Sequence, residues 1–196
     1  MDLSLSLTDT HVLITGGTGF IGSATVTALL AAGAKVSSLD IRPPGPSLPQ
    51  SSPNLWYIHC DISSEESLEK AFTQAADKFG PVACCIALAS LDLSVLPHHE
   101  SLVDMDVEQW RRTHRINVEG TFLTSRTWLR ALRDVMASGN AERKRLHNVS
   151  LIIVGSESGH FGERGNADYA SGKSAVQGGL LKSLASDAAR VWPGAR

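Results

Sequence analysis

The stretch Thr15-Gly16-Gly17-Thr18-Gly19-Phe20-Ile21-Gly22 constrains this chain more than any other. A short apolar run of β-branched character, His11-Val12-Leu13-Ile14, precedes it and reads as a strand. Ser23 to Ala32, rich in Ala and Leu, follows it and reads as a helix closed by Gly33. Glycines between a strand and a helix let the backbone bend sharply. They also let a diphosphate approach main-chain N–H groups at the positive end of the helix. Asp40 follows Gly22 by 18 residues, at the end of the next strand-like run. A carboxylate at that place can accept hydrogen bonds from an adenosine ribose. The plain alternative is a tight turn that holds no ligand.

The rest of the chain alternates between strand and helix patterns. Lys35 to Leu39 reads as a second strand and Leu55 to His59 as a third, ended by Asp61-Ile62. Between them Arg42 to Pro53 holds five prolines and reads as an exposed loop. Ser63, with Glu66 three residues on, predicts a capping box for a helix running to about Phe79, where Gly80-Pro81 stops it. Val82 to Ala87 is continuously apolar, as expected of a strand buried on both faces. A loop is predicted over Leu91 to Asp104, a long helix over Val107 to Asp134, and a polar, basic connection over Ala137 to His147. A fifth strand is predicted over Leu151 to Val154 and a last long helix over Ala167 to Val191. Strand–helix units in series predict an α/β fold: a doubly wound parallel sheet with helices on both faces, in three layers.

Composition excludes several classes. The 196 residues predict one domain able to bury a real core, and 42% hydrophobic with 19% charged residues is ordinary for a globular chain. A net charge of −2 gives no pull toward nucleic acid or an anionic membrane. No run approaches the roughly 18 apolar residues of a membrane span, and Met1 to Leu7 has no basic region or apolar run of a signal peptide. Cys60, Cys84 and Cys85 lie in apolar, strand-like segments, which predicts reduced, buried thiols and a cytoplasmic setting. Adjacent Cys84 and Cys85 point to opposite faces of a strand, and the seven histidines show no ligand spacing, so no metal site is predicted. His98-His99 reads as a solvated loop pair.

The second chemical cluster is Tyr169-Ala170-Ser171-Gly172-Lys173. Tyr169 and Lys173, four residues apart, share one helical face. A lysine ammonium beside a phenol favours the phenolate, so such a tyrosine can exchange a proton near neutral pH. The cluster follows the fifth strand, so its helix can face the carboxyl ends of the sheet, where open α/β folds bind ligands. Ser156, 13 residues before Tyr169, can hydrogen-bond a substrate oxygen; Ser158, 11 residues before, is its competitor. Either serine can instead simply form a turn.

These residues together resemble the short-chain dehydrogenase/reductase family over nearly the whole chain. The resemblance rests on Thr15 to Gly22, Asp40, Asp61-Ile62, Trp110 with Asn117-Val118-Glu119-Gly120-Thr121-Phe122, Ser156, and Tyr169 with Lys173. It implies an NAD(P)-dependent oxidoreductase that interconverts an alcohol and a ketone by hydride transfer. Tyr169 would be the acid/base, Lys173 its partner and a contact of the nicotinamide ribose, and Ser156 the group orienting the carbonyl. Asn117 would anchor a water leading from Lys173 or stabilise a helix bend. Gly16, Thr18, Gly19, Phe20, Ile21, Gly22, Asp40, Asp61, Ile62, Ala87, Tyr169 and Lys173 would line the cofactor, with Asp61 and Ile62 at the adenine. Asp40 favours NAD over NADP, because a carboxylate repels a 2′-phosphate; Arg42 is the counter-argument. The resemblance also implies a homo-oligomer paired through the long helices, and is compatible with a tailoring step of secondary metabolism. A truncated, inactive or non-redox relative (an isomerase, a dehydratase or a nucleotide binder) is the alternative.

Three departures from the family pattern bear on these expectations. The glycines at 16, 19 and 22, with Phe20 among them, resemble the extended, sugar-nucleotide-modifying branch; the Trp110 to Phe122 segment and the Tyr169 helix resemble the single-domain branch, which is the expected one. After the fourth strand the family usually has Asn-Asn-Ala-Gly, and this chain has Ala87-Leu88-Ala89-Ser90, without the amides that tie the central sheet. The chain ends at Arg196, about where a sixth strand is expected to begin. Another chain covering the fifth strand, a weakened enzyme, or a short gene model each fit that end.

Overall fold

The computed structural model describes residues 7–46, 48, 49, 52–138, 146–193 and 195. Its strands are β1 (His11–Thr15), β2 (Lys35–Asp40), β3 (Leu55–His59), β4 (Cys84–Ala87) and β5 (Ser150–Ile153). They form one parallel sheet in the order β3-β2-β1-β4-β5. The chain winds outward from β1 to β3, returns to place β4 on the other side of β1, and continues to β5. That reversal opens a crevice at the carboxyl ends of β1 and β4, where Thr15 lies in register with Ala87.

The helices are α1 (Phe20–Ala31), α2 (Glu65–Phe79), α3 (Val107–His114), α4 (Gly120–Ser138), α5 (Ser158–Phe161), α6 (Ala167–Ser174) and α7 (Leu181–Val191). Alternation along the strands divides the apolar residues between two cores. Val12, Ile14, Val36, Cys84 and Ile86 pack on the α1 side with Val26. Leu13, Leu39 and Cys85 pack on the other side with Leu68 and Phe72 of α2 and with Leu123, Trp128 and Leu132 of α4. Cys84 and Cys85 thus do face opposite ways. All three thiols are free and buried. Trp128 is fully buried and its indole N–H donates to the Val82 carbonyl at 3.3 Å, fixing α4 beneath β4. Among the described residues no helix is long and apolar enough to cross a membrane.

Several predicted details change. The cap of α2 is Ser64, whose hydroxyl accepts from the Ser67 N–H, and not Ser63. Ser63 is drawn away because the Asp61 carboxylate takes both its N–H and its hydroxyl. α1 starts at Phe20, three residues earlier than predicted, because the glycine turn feeds directly into it. The predicted long helix continues to Ser138, past the start of the predicted polar connection, of which 139–145 lie outside the described residues. It is also not continuous: a π-helical turn, Arg115–Glu119, joins α3 to α4. A second, Ala175–Leu180, joins α6 to α7 inside the predicted last helix. In the proline loop Leu48 is buried, so that loop is not wholly exposed.

Candidate active site

At the β1 end, shape comes from missing side chains. Gly16 has φ +73°, a left-handed backbone, and a Cβ there would sit 2.8 Å from Ala89 Cα. At Gly22 a Cβ would overlap the Gly16 carbonyl oxygen, so the turn closes against α1 only without one. Gly19 precedes α1 and no side chain caps its first amides. Those N–H groups and the helix dipole are left for an anion. The Thr18 hydroxyl is buried here without a partner among the described atoms. An orphaned hydroxyl, an uncapped helix start and a turn stripped of side chains fit a dinucleotide diphosphate. Phe20, 95% exposed, and Ile21 stand at the rim.

Asp40 is buried at the end of β2 and straps the turn. It accepts from the Thr18 N–H at 3.1 Å and, through its other oxygen, from the Arg42 N–H at 3.1 Å. The Arg42 Nε lies 3.8 Å from that carboxylate. Its Nη2 is 3.6 Å from a Cβ built on Gly19, so the guanidinium lies over the turn. Gly16, Thr18, Gly19, Phe20, Ile21, Gly22, Asp40 and Ala87 therefore gather around the ends of β1, β2 and β4. Asp61 and Ile62 follow β3, but the Asp61 carboxylate serves Ser63 and the Ile62 side chain is buried against Gly120. The missing Asn-Asn pair is partly replaced: the Thr15 hydroxyl accepts from the Ala89 N–H at 3.2 Å.

At the β5 end, shape comes from buried polar side chains. Tyr169 is 8% and Lys173 5% exposed, and the Lys173 ammonium is 5.7 Å from the Tyr169 ring centroid. Lys173 donates to the Val154 carbonyl, just past β5, at 2.8 Å. Burial lowers its pKa from the ordinary lysine value, against the charge of Asp92, which raises it. The Ser158 hydroxyl donates to Glu163 at 2.8 Å, and Ser158 is buried. The Ser156 hydroxyl accepts from the Ser158 N–H at 3.2 Å and keeps its own proton to donate. Asn117, 2% exposed, sits in the first π turn, whose wider coil aims it at the loop after β4. It accepts from the Leu91 N–H at 2.7 Å and donates to the Leu91 carbonyl at 2.9 Å. Asn117 thereby fixes the backbone next to Asp92.

Sequence reasoning missed a network behind Tyr169. Asp168, fully buried, accepts from the Thr113 hydroxyl at 2.7 Å and from Gln109 Nε2 at 3.1 Å. Gln109 Oε1 meets His99 Nε2 at 2.8 Å, and His98 Nδ1 meets Asn166 Oδ1 at 3.3 Å. The histidine pair is a tie between the loop and the Tyr169 helix, not a purely solvated pair. Its partners lie ten and 68 residues away in sequence, so no local pattern signals them. Among the described residues no group of three or more His, Cys, Asp or Glu gathers to hold a metal.

The sequence profile of the short chain dehydrogenase family matches residues 10–191. The chain belongs to that family. A 2,5-dichloro-2,5-cyclohexadiene-1,4-diol dehydrogenase of Sphingobium indicum is 29% identical over 178 residues, 90% of this chain and 65% of the relative. A 3-oxoacyl-[acyl-carrier-protein] reductase of Mycobacterium tuberculosis is 27% identical over 180 residues, 92% of this chain and 64% of its own. The chain thus spans a little under two thirds of the length of these curated relatives. Among solved structures, a short chain dehydrogenase of Leptospira borgpetersenii with bound NAD+ aligns over 100% of this chain and 71% of that one. Its TM-score is 0.81 and its identity 25%. The five-stranded parallel sheet with flanking helices matches the fold of that structure over the part aligned.

Proposed function

We propose that this short-chain dehydrogenase is an NAD(P)-dependent oxidoreductase that interconverts an alcohol and a ketone. The observation that carries the reading is the grouping of Tyr169, Lys173 and Ser156 where β5 ends, at the same edge of the sheet as the glycine cradle after β1, two strands away. The relatives that are dehydrogenases and reductases, and the Leptospira structure with NAD+, support it. Gly16 to Gly22 would receive the diphosphate, Asp40 the adenosine ribose and Lys173 the nicotinamide ribose. The nicotinamide ring, when bound, supplies or accepts the hydride. Tyr169 takes the hydroxyl proton during oxidation and returns it during reduction. Ser156 donates a hydrogen bond to the substrate oxygen, and Lys173 places a positive charge on the Tyr169 face. Asn117 holds the Leu91–Asp92 backbone.

The test is cofactor binding to the purified chain, followed by a carbonyl and alcohol screen read at the nicotinamide absorbance. Binding with turnover supports the reading. Binding without any turnover favours the non-redox alternative, and no binding removes the oxidoreductase and leaves an inactive relative that keeps the fold. A reduced cytoplasmic setting belongs to the same reading, since Cys60, Cys84 and Cys85 are free and buried. So does self-association: Trp110, stacked on His114, and Phe122 leave an apolar face exposed on the α3–α4 stretch. A clean monomer by light scattering at about 50 µM, where standard interfaces are populated, rules that pairing out.

A further inference from the structure

The geometry points to Gln177 as a positioning residue for Ser156, a role that rests on the oxidoreductase reading above. Tyr169, Lys173 and Gln177 follow one another at intervals of four residues, so the face that carries the first two extends to the third. Gln177 lies in the second π turn, Ala175–Leu180. Its Oε1 accepts from the Ser156 N–H at 2.7 Å, across 21 residues of sequence. Lys173 takes the Val154 carbonyl and Gln177 the Ser156 amide, so two side chains of one helical stretch hold the backbone where it leaves β5.

The loop is cut to receive this amide. A Cβ on Gly155 would overlap Gln177 Oε1, and one on Gly159 would sit 2.6 Å from Gln177 Nε2. Neither glycine has a positive φ, so what glycine supplies at both is room. Gln177 Nε2 is buried without a partner among the described atoms, so the side chain is held by its acceptor and by the fit of the slot. The Ser156 hydroxyl is then oriented by the Ser158 N–H. With N and Oγ both engaged, the Ser156 side chain keeps one direction, and its own proton is left to meet the substrate. Loss of the Gln177 acceptor frees the amide and lets that direction wander, and a displacement of about 1 Å costs up to 10²-fold in rate.

The experiment compares the wild type with Q177M, which keeps length and loses the acceptor, and Q177E, which keeps the acceptor. Hydrogen–deuterium exchange is followed over 155–159, with steady-state kinetics and cofactor titration alongside. In Q177M the 155–159 amides are expected to exchange faster, kcat to fall about 10- to 100-fold, and cofactor affinity to stay within twofold. Q177E is expected to restore protection and most of kcat. Unchanged exchange in Q177M overturns the proposal, whatever the kinetics. Faster exchange with unchanged kcat also overturns it, leaving Gln177 a merely structural tie. Loss of cofactor affinity in step with kcat overturns it as well, because the fault is then global. A wild type that binds cofactor and turns nothing over overturns the oxidoreductase reading and this role with it; the kinetics of the unmodified chain separate that failure from the others.

Discussion

At the β1 end of the crevice the chain presents backbone: a left-handed Gly16, a Gly22 pressed on the Gly16 carbonyl, and a helix start that no side chain caps. At the β5 end it presents side chains, nearly all buried and held by other side chains or by remote backbone: Asn117 on Leu91, Lys173 on Val154, Gln177 on Ser156, Asp168 on Thr113. An anion needs only many N–H groups and room, which a short local segment supplies. Proton transfer needs particular groups at fixed places, and those must be over-determined by a network. Both π turns lie in the helices of the second half, where they seat Asn117 and turn Gln177 toward the loop.

The largest expected effect separates the two ends directly. Tyr169→Phe removes one oxygen and keeps the packing. Turnover is expected to fall about 10²–10⁴-fold with cofactor affinity unchanged. Lys173→Met is expected to lose turnover and affinity together, because Lys173 would touch both the tyrosine and the ribose. Equal loss of affinity in both variants erases the division. Within the same end, Ser156→Ala is expected to cost more turnover than Ser158→Ala, whose hydroxyl is already committed to Glu163.

The converse change attacks the cradle. Gly22→Ala puts a Cβ onto the Gly16 carbonyl and is expected to cost about 1–3 kcal/mol of stability or of cofactor binding, as overpacking does. Differential scanning and calorimetric titration read the two separately. The 155–159 amides are expected to keep their exchange protection. If they lose it, the two ends are one cooperative unit.

His11 tests whether buried side chains behave alike in both halves, since it is a buried polar group of the cradle half. Its Nδ1 donates to the Gly80 carbonyl at 2.7 Å, and its Nε2 accepts from the Ser37 hydroxyl at 2.9 Å, so the neutral ring is the one accommodated. Burial pulls its pKa down to about 4, against the Gly80 and Pro81 carbonyls. The unfolded chain therefore binds more protons than the folded one between about pH 6.5 and 4, and stability falls as pH falls through that window. By pH 5 the loss from this group is about 2 kcal/mol relative to neutral pH. The stability lost between pH 7.5 and 5, read from urea melts, is expected to be larger in the wild type than in His11→Gln by that amount; equal losses refute the assignment.

The same contrast decides what was legible. The glycine turn, Asp40 and the Tyr169–Lys173 spacing are local patterns, and they emerged with β3 at its observed bounds. That the sheet is parallel, with helices on both faces, followed from alternation of strand and helix; the order β3-β2-β1-β4-β5 did not. The two π turns did not, because Arg115–Glu119 and Ala175–Leu180 have no local mark; tertiary contacts of Asn117 and Gln177 accompany them. Asp168 drew no reading from the sequence, because its partners Gln109 and Thr113 lie more than 50 residues away. The Ser63 cap failed on a local competition: Asp61 bound Ser63 first, and Ser64 took the helix.

Cofactor choice carries the smallest effect and bears on the cradle alone. The Asp40 carboxylate is already engaged by two main-chain N–H groups, which fix it under the turn and leave lone pairs for ribose hydroxyls. Its charge repels a 2′-phosphate, while the Arg42 guanidinium, largely exposed, sits 3.8 Å away and offsets part of that repulsion. The buried charge, fixed in place, outweighs the exposed and mobile one, so NAD(H) is expected to bind more tightly than NADP(H), by about tenfold. Asp40→Asn keeps the shape, drops the charge, and is expected to bring the two cofactors level. Arg42→Ala is expected to widen the gap. Both shifts weaken with added salt, the Arg42 one more steeply, because it is the exposed charge. Tighter binding of NADPH by the wild type would show that Arg42 governs the pocket and that Asp40 serves the turn alone.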